Sequence, residues 1–112
     1  MSTEREALRL HDIIDNIDRI EGYVAGMDLP AFAADQRTID AVERCLQRIT
    51  EAVIKIGAER MAAISPKLPV DAVRGLGNML RHDYDNVDLA TIYRTVRESL
   101  PALRSDCAKA LP

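Results

Sequence analysis

The sequence predicts an all-α protein, an antiparallel four-helix bundle. Two long segments carry apolar residues at alternating spacings of three and four, which place them on one face of a helix. No segment shows the sustained apolar–polar alternation that is typical of a half-buried strand. Short turn signals separate the helical segments, so consecutive helices are expected to run antiparallel.

Uninterrupted apolar stripes predict the first two helices. The stripe of the first helix consists of Leu10, Ile13, Ile17, Ile20, Val24 and Met27. The stripe of the second helix consists of Ile39, Val42, Leu46, Ile49, Val53 and Ile56. Thr3 with Glu6 fits a capping box that starts the first helix, and Gly26 before a proline-containing turn ends it. Asp35 or Thr38 is expected to cap the second helix.

Two further helices complete the predicted bundle. Pro69 fits the first turn of the third helix, where its missing N–H costs nothing, and Asp88 suits the N-cap of the fourth. The core face of the third helix comprises Val70, Val73 and Leu80. The stripe of the fourth comprises Leu89, Ile92, Val96, Leu100, Leu103, Cys107 and Ala110. Pro101 interrupts this stripe, so we expect helix four to kink there or to restart with Ser99 as its cap. Residues 83–88 are expected to form a loop.

Length and charge exclude several classes of protein. The 112 residues suit a single helical domain, 1–112, and leave no room for a second core. The longest apolar run has four residues, whereas a membrane span needs about 20, so we expect a soluble, cytoplasmic protein that does not enter a membrane. Residues 1–66 carry 8 basic and 12 acidic side chains, and residues 67–112 carry 7 and 6, giving −4 and +1. An anion-binding surface is therefore expected in the second half.

The cysteines and histidines form no metal-binding pattern. Cys45 and Cys107 are isolated, which predicts neither a disulfide framework nor a zinc site, and we expect both to be small apolar side chains. His11 is expected at the surface. The aspartates of residues 83–88 lack the glycine and glutamate that an EF-hand loop requires. We predict no metal and no cofactor.

The third helix carries a polar segment suited to phosphate chemistry. At about 100° per residue, four side chains fall within one arc opposite the apolar positions: Arg74, Asn78, Arg81 and His82. Arginine binds phosphate oxygens through two hydrogen bonds, and histidine moves a proton near neutral pH. Two glycines in this helix cost about 1 kcal/mol each relative to alanine, which suggests close approach by a partner or ligand. An ordinary polar helix face, with cationic residues favoured near the C-terminus, is the alternative.

This segment also resembles a known family. Residues 78–84, Asn-Met-Leu-Arg-His-Asp-Tyr, followed by Asn-Val-Asp at 86–88, resemble the R-N-x-x-x-H-x-Y segment of HepT-like proteins in the HEPN superfamily. The resemblance continues through residues 10–14, 38–42 and 100–103, so it covers essentially the whole chain. It implies a HEPN-like helical homodimer that acts as the toxin of a bacterial toxin–antitoxin pair. Such toxins are metal-independent ribonucleases.

The resemblance assigns roles to individual residues. It implies that His82 is the catalytic histidine and that Asn78 is the polar residue beside the family arginine. It further implies that an MntA-like nucleotidyltransferase antitoxin transfers AMP to Tyr84. His82 would act as general base on a ribose 2′-OH and leave a 2′,3′-cyclic phosphate, with tRNA as a first substrate to test. A homodimer would bring two copies of His82 to one cleft, and it would also cover apolar surface that so small a domain leaves exposed.

One position departs from the family pattern. The residue that precedes Asn78 is Gly77 where the family has arginine, so Arg74 or Arg81 would have to contact the phosphate. An alternative follows, in which the chain is a catalytically inactive HEPN relative serving as a dimeric binding module for a nucleotidyltransferase or RNA. An unrelated helical interaction domain is the third hypothesis.

Overall fold

The structure, a computed structural model, describes residues 1–82 and 87–112 and places most of them in helices. The α-helices are α1 (Thr3–Val24), α2 (Leu29–Ala33), α3 (Gln36–Ile56), α4 (Ala58–Ile64), α5 (Val70–His82), α6 (Leu89–Arg94) and α7 (Leu100–Ala110). A π-helical turn, Thr95–Ser99, joins the last two into one C-terminal rod. The described ranges contain no strand, so the predicted all-α fold is confirmed.

Contacts between helices show that α3 and α5 run antiparallel. Gln47 of α3 donates a hydrogen bond to the carbonyl of Leu80 in α5. Thr50, one turn after Gln47 in α3, lies against Gly77, which is one turn before Leu80 in α5. The sequence numbers therefore rise along one helix as they fall along the other, as the predicted bundle requires.

The C-terminal rod crosses back along α1 in the same antiparallel sense. Arg97 of the rod bonds to the carbonyl of Val24, and Arg104 bonds to the carboxylate of Asp18. The bundle thus consists of α1, α3, α5 and the rod, with α2 and α4 as short connecting helices. The buried residues of both long stripes are as predicted, except that Met27 is only half-buried.

Two helix starts test the predicted caps. Ser2, not Thr3, caps α1, and its hydroxyl accepts from the backbone N–H of Arg5 at 3.2 Å. With Ser2 as the N-cap, the third residue of the helix is Arg5 rather than Glu6, so the predicted capping box does not form, and the carboxylate of Glu6 pairs with Arg60. Of the two candidates for α3, Asp35 is the cap, since its carboxylate accepts from the next turn at 3.2 Å.

The connecting helices were not predicted. α2 occupies the segment expected to be only a turn, and it buries Phe32 against the ring of Tyr93, with 5.7 Å between centroids. Gly57 ends α3 with a φ of 98°, a left-handed conformation that favours glycine, and the chain restarts as α4. The hydroxyl of Ser65 then donates to the carboxylate of Asp106 at 2.7 Å, which ties the approach to α5 to α7.

A π-helical turn interrupts helix four just before Pro101, where a kink or a restart was predicted. Pro101 lacks an N–H, and in a regular helix its ring would collide with the carbonyl of Arg97. The wider turn over residues 95–99 removes this conflict. α7 starts again at Leu100 with Ser99 in the N-cap position, as the alternative predicted, but the side chain of Ser99 forms no capping hydrogen bond.

Arg97 joins the rod to the end of α1, and its loss should destabilise the protein. Its guanidinium donates to the carbonyls of Val24 at 3.0 Å and Met27 at 2.8 Å, and lies 5.2 Å from the centroid of the Tyr93 ring. Because hydrogen bonds from a charged donor are worth about 1.5–3 kcal/mol, and this one is partly exposed, Arg97→Ala should lower the free energy of unfolding by about 1–2 kcal/mol in urea titrations. Exposed Arg94 supplies the control, since Arg94→Ala should change it by less than about 0.5 kcal/mol. Equal losses would contradict this role.

Candidate active site

The predicted polar arc is present on α5. The helix begins after Pro69, whose carbonyl accepts from the N–H of Val73 at 3.0 Å, and it ends at His82. Leu80 is buried against the core. We call the opposite side the polar face of α5; it consists of Arg74, Asn78, Arg81 and His82. Arg81 is half-buried and the other three are exposed.

Within the polar face, Arg81 is turned back along the helix. Its Nη2 donates to Oδ1 of Asn78 at 2.8 Å. Its Nη1 lies 3.3 Å from the point where a Cβ would stand at Gly77. Arg74 lies one turn before Asn78, and no hydrogen bond between Arg74 and another described residue is formed. The structure therefore brings Arg81, rather than Arg74, together with Asn78.

Gly77 lies where α5 crosses α3. A Cβ on it would stand 2.8 Å from Oγ1 and 3.0 Å from Cβ of Thr50. Thr50 is 2% exposed and its hydroxyl donates to the carbonyl of Gln47 at 2.9 Å, so it has little freedom to move. A Cβ on Gly75 would meet nothing within 4 Å. Close packing thus requires glycine at 77, and nothing in the structure explains Gly75.

Gln47 fixes the end of α5, a role that sequence reasoning missed. Its Nε2 donates to the carbonyl of Leu80 at 2.7 Å, and its Oε1 accepts from Arg44 at 3.0 Å. This bond joins the last described turn of α5 to α3. It also anchors the turn that carries Arg81 and His82. The one feature of the sequence that points to this anchoring role is that Gln47 directly follows a core residue of α3.

Loss of this anchor should loosen the end of α5. We expect Gln47→Ala to lower the free energy of unfolding by about 1 kcal/mol, because it removes a part-buried hydrogen bond between α3 and α5. Amide hydrogen exchange in the last turn of α5 should become faster. Gln36→Ala is the matched control, since Gln36 lies on the same helix and bonds only to the exposed side chain of Asp40. Unchanged exchange in Gln47→Ala would contradict the anchoring role.

The two cysteines and His11 lie outside the polar face of α5. Cys45 and Cys107 are buried and form no disulfide, and His11 is exposed, as predicted. Burial raises the pKa of the Cys107 thiol to about 11, and the neighbouring carboxylate of Asp106 contributes to the increase. Burial also raises the pKa of Cys45. Both thiols are therefore protonated at neutral pH and are weak nucleophiles.

Several predictions concern residues at the edge of the described ranges. Tyr84, the predicted AMP acceptor, lies outside them, as do the other residues of 83–86. Val87 and Asp88 are not helical, and Asp88 caps α6 by accepting from the N–H of Ala90 at 3.1 Å, as predicted. Residues 1–82 and 87–112 hold no group of three or more His, Cys, Asp or Glu side chains arranged to bind a metal ion. Over the same ranges, no helix combines the length and apolarity needed to cross a membrane.

Comparison with known proteins decides the family. A sequence model described as "Ribonuclease HepT-like" matches residues 13–110, from the middle of α1 to the end of α7. The chain belongs to the HepT-like ribonuclease family. The relatives of this HepT-like chain include a Methanocaldococcus jannaschii protein named as an RNase, 30% identical over 102 residues, which are 91% of this chain and 87% of that protein. A Thermococcus cleftensis protein named as a ribonuclease HepT is 30% identical over 100 residues, 89% of this chain and 90% of that one. No solved structure matches.

Membership of the HepT-like family relates the side chains of the polar face of α5 to ribonuclease chemistry. The face combines an imidazole, an amide and guanidinium groups within two turns of one helix. Together these groups can accept a proton, donate hydrogen bonds and bind an anionic phosphate. The HepT-like chain therefore carries these groups on the last described turns of α5, which Gln47 anchors to α3.

Proposed function

We propose that this HepT-like chain is the toxin of a bacterial toxin–antitoxin pair and acts as a metal-independent endoribonuclease. The observation that carries the proposal is the exposure of Asn78 and His82 beside Arg81 at a helix end that Gln47 anchors. A side chain that moves protons and a guanidinium that binds phosphate are the groups that cleavage of a phosphodiester requires. Membership of a ribonuclease family supports the same conclusion.

The proposed reaction needs only the RNA and the protein's own side chains. His82 takes the proton of a ribose 2′-OH, and the 2′ oxygen forms a bond to the adjacent phosphorus. The bond between phosphorus and the 5′ oxygen breaks, and that oxygen leaves with a proton from an acid. The products are a 2′,3′-cyclic phosphate and a 5′-OH. An arginine of the polar face, Arg81 or Arg74, offsets the negative charge on the phosphorane oxygens.

A homodimer would supply the acid for this reaction. Apolar residues between α3, α5 and the C-terminal rod line a groove of about 210 Å³, among them Val73, Leu76 and Leu100. Covering such a groove with a second copy would remove apolar surface from water. Apart from that groove, which opens on the apolar side of α5, we propose that the homodimer brings the two copies of His82 to one cleft, where one acts as base and the other as acid. Light scattering at micromolar concentration should give the mass of a dimer, and a monomer would contradict this part of the proposal.

Neutralisation by AMP transfer completes the proposal. Tyr84 follows His82 by two residues, so an AMP group on its hydroxyl adds a bulky anion close to the site. Its negative charge would repel the RNA backbone, as other charge-adding modifications do. The enzyme that adds it is an MntA-like nucleotidyltransferase. Tyr23, which is 43% exposed on α1, offers a control tyrosine.

Expression in a bacterial host tests the proposed function. The chain alone should arrest growth and fragment cellular RNA, and coexpression of the nucleotidyltransferase should restore growth. Mass spectrometry should then find one AMP on Tyr84, retained in Tyr23→Phe and absent from Tyr84→Phe. Normal growth with intact RNA would instead support a dimeric binding module for the nucleotidyltransferase or RNA, the alternative that Gly77 favours.

A further inference from the structure

We infer that Arg81 is the arginine that binds the RNA phosphate, and that it lies in space left free by the absence of a side chain at Gly77. The inference rests on the proposed function, which leaves the choice between Arg81 and Arg74 open. It also means that Gly77 makes room for Arg81, whereas the motif comparison alone suggests that the chain has lost a catalytic arginine at this position.

The surroundings of Gly77 are filled from two sides. On the α3 side, Thr50 stands 2.8 Å from the position of a Cβ, and on the other side Nη1 of Arg81 stands 3.3 Å from it. A side chain at 77 would therefore press against buried Thr50 and would displace the guanidinium of Arg81. Glycine at position 77 thus leaves the space that the guanidinium of Arg81, one turn later, occupies.

Asn78 holds the guanidinium in this place. Its amide oxygen accepts one of the five guanidinium N–H groups, at 2.8 Å. A guanidinium held by packing and a hydrogen bond loses less freedom when it binds a phosphate than one that moves freely in solvent. Arg81 is also half-buried, so its charge is less screened by water.

Distance along the helix separates Arg81 from Arg74. The guanidinium of Arg81 lies at the level of Gly77 and Asn78, four to five residues before His82, a rise of about 6–8 Å. Arg74 lies eight residues before His82, a rise of about 12 Å. A phosphate whose neighbouring 2′-OH is within hydrogen-bond reach of His82 is therefore closer to Arg81. Arg74 remains placed to meet a phosphate further along the RNA backbone, where it would contribute to binding more than to the reaction.

Two readouts test this assignment on the protein of 112 residues. The first is the affinity for a short 2′-O-methyl RNA, which cannot be cleaved because its nucleophile is blocked. The second is the cleavage rate of unmodified RNA at saturating concentration. Arg81→Ala should lower the rate by about 10²-fold or more, as the removal of one transition-state donor does elsewhere, and should weaken binding. Arg74→Ala should weaken binding with a smaller loss of rate, and exposed Arg5→Ala should change neither.

Chemical rescue separates a direct role from a structural one. Added guanidinium ion should partly restore the rate of Arg81→Ala, because it can enter the space beside Gly77, whereas tetramethylammonium should not. Arg81→Lys should stay impaired, since an ammonium lacks the planar fork of donors. Unfolding curves of each variant show whether the fold is retained.

The outcomes separate this inference from the proposed function. If the wild type cleaves RNA and Arg81→Ala cleaves equally well, or if Arg74→Ala has the larger loss of rate, the inference is wrong and the function stands. If the wild type binds the RNA without cleaving it, and only Arg81→Ala loses that binding, Arg81 binds phosphate and the ribonuclease proposal is wrong. Wild-type protein that does not bind RNA overturns the inference.

Discussion

His82→Ala is expected to lower the rate of RNA cleavage by about 10²–10⁴-fold, the range that a general acid–base group contributes. The imidazole is the only side chain of the polar face of α5 suited to take a proton from a 2′-OH near neutral pH. Because His82 is exposed at the end of α5, its removal should leave the urea unfolding midpoint nearly unchanged. The rate is measured under single-turnover conditions with end-labelled tRNA.

His11→Ala is the matched control for this experiment. His11 is the one other histidine of the sequence, and it is exposed on α1. Its replacement should leave the cleavage rate unchanged. Cleavage that persists in His82→Ala at the wild-type rate would remove His82 from the mechanism, and equal loss in both variants would indicate an effect on something other than the site.

Gly77→Arg should damage the protein even though it restores the arginine of the family motif. The new side chain would begin 2.8 Å from Oγ1 of buried Thr50, so α5 would have to move away from α3. Overpacking of this kind costs about 1–3 kcal/mol of unfolding free energy. Movement of α5 would also strain the bond from Gln47 to Leu80, so cleavage should fall together with stability. Urea titration and the tRNA assay measure the two effects.

Gly75→Arg provides the same chemical change at a position with space. A Cβ there meets no atom within 4 Å, and arginine is a better helix former than glycine by about 0.5–1 kcal/mol. This variant should therefore be as stable as the wild type or more stable. Higher cleavage activity in Gly77→Arg than in the wild type would contradict the packing argument, and it would show that the chain lacks its essential arginine.

The sequence was sufficient for the main helices because their apolar stripes are long and regular. The stripe of α3 specifies which residues are buried, and the core of the structure contains all six of them. Local details depended on contacts that no stripe records. Ser2 takes the place of Thr3 as the N-cap, and the carboxylate of Glu6 binds Arg60, 54 residues away, instead of the start of its own helix. α2 forms where only a turn was expected because burial of Phe32 stabilises a helix of five residues.

The candidate site could be predicted as far as a single helix determines it. Helical period alone places Arg74, Asn78 and His82 on one face, and their exposure confirms that placement. The contributions of Gln47 and Thr50 could not be predicted, because they depend on how α3 crosses α5. Gln47 lies 33 residues before the carbonyl that it binds.

The central claim is that the polar face of α5 cleaves RNA by transfer to the 2′-OH, without a metal. The most direct test is to incubate purified protein with end-labelled tRNA in EDTA, after mass spectrometry has shown Tyr84 to be unmodified, and to determine the ends of the fragments. The account predicts cleavage that leaves 2′,3′-cyclic phosphate and 5′-OH ends. Intact RNA, or cleavage that appears only when a divalent metal is added, would contradict it.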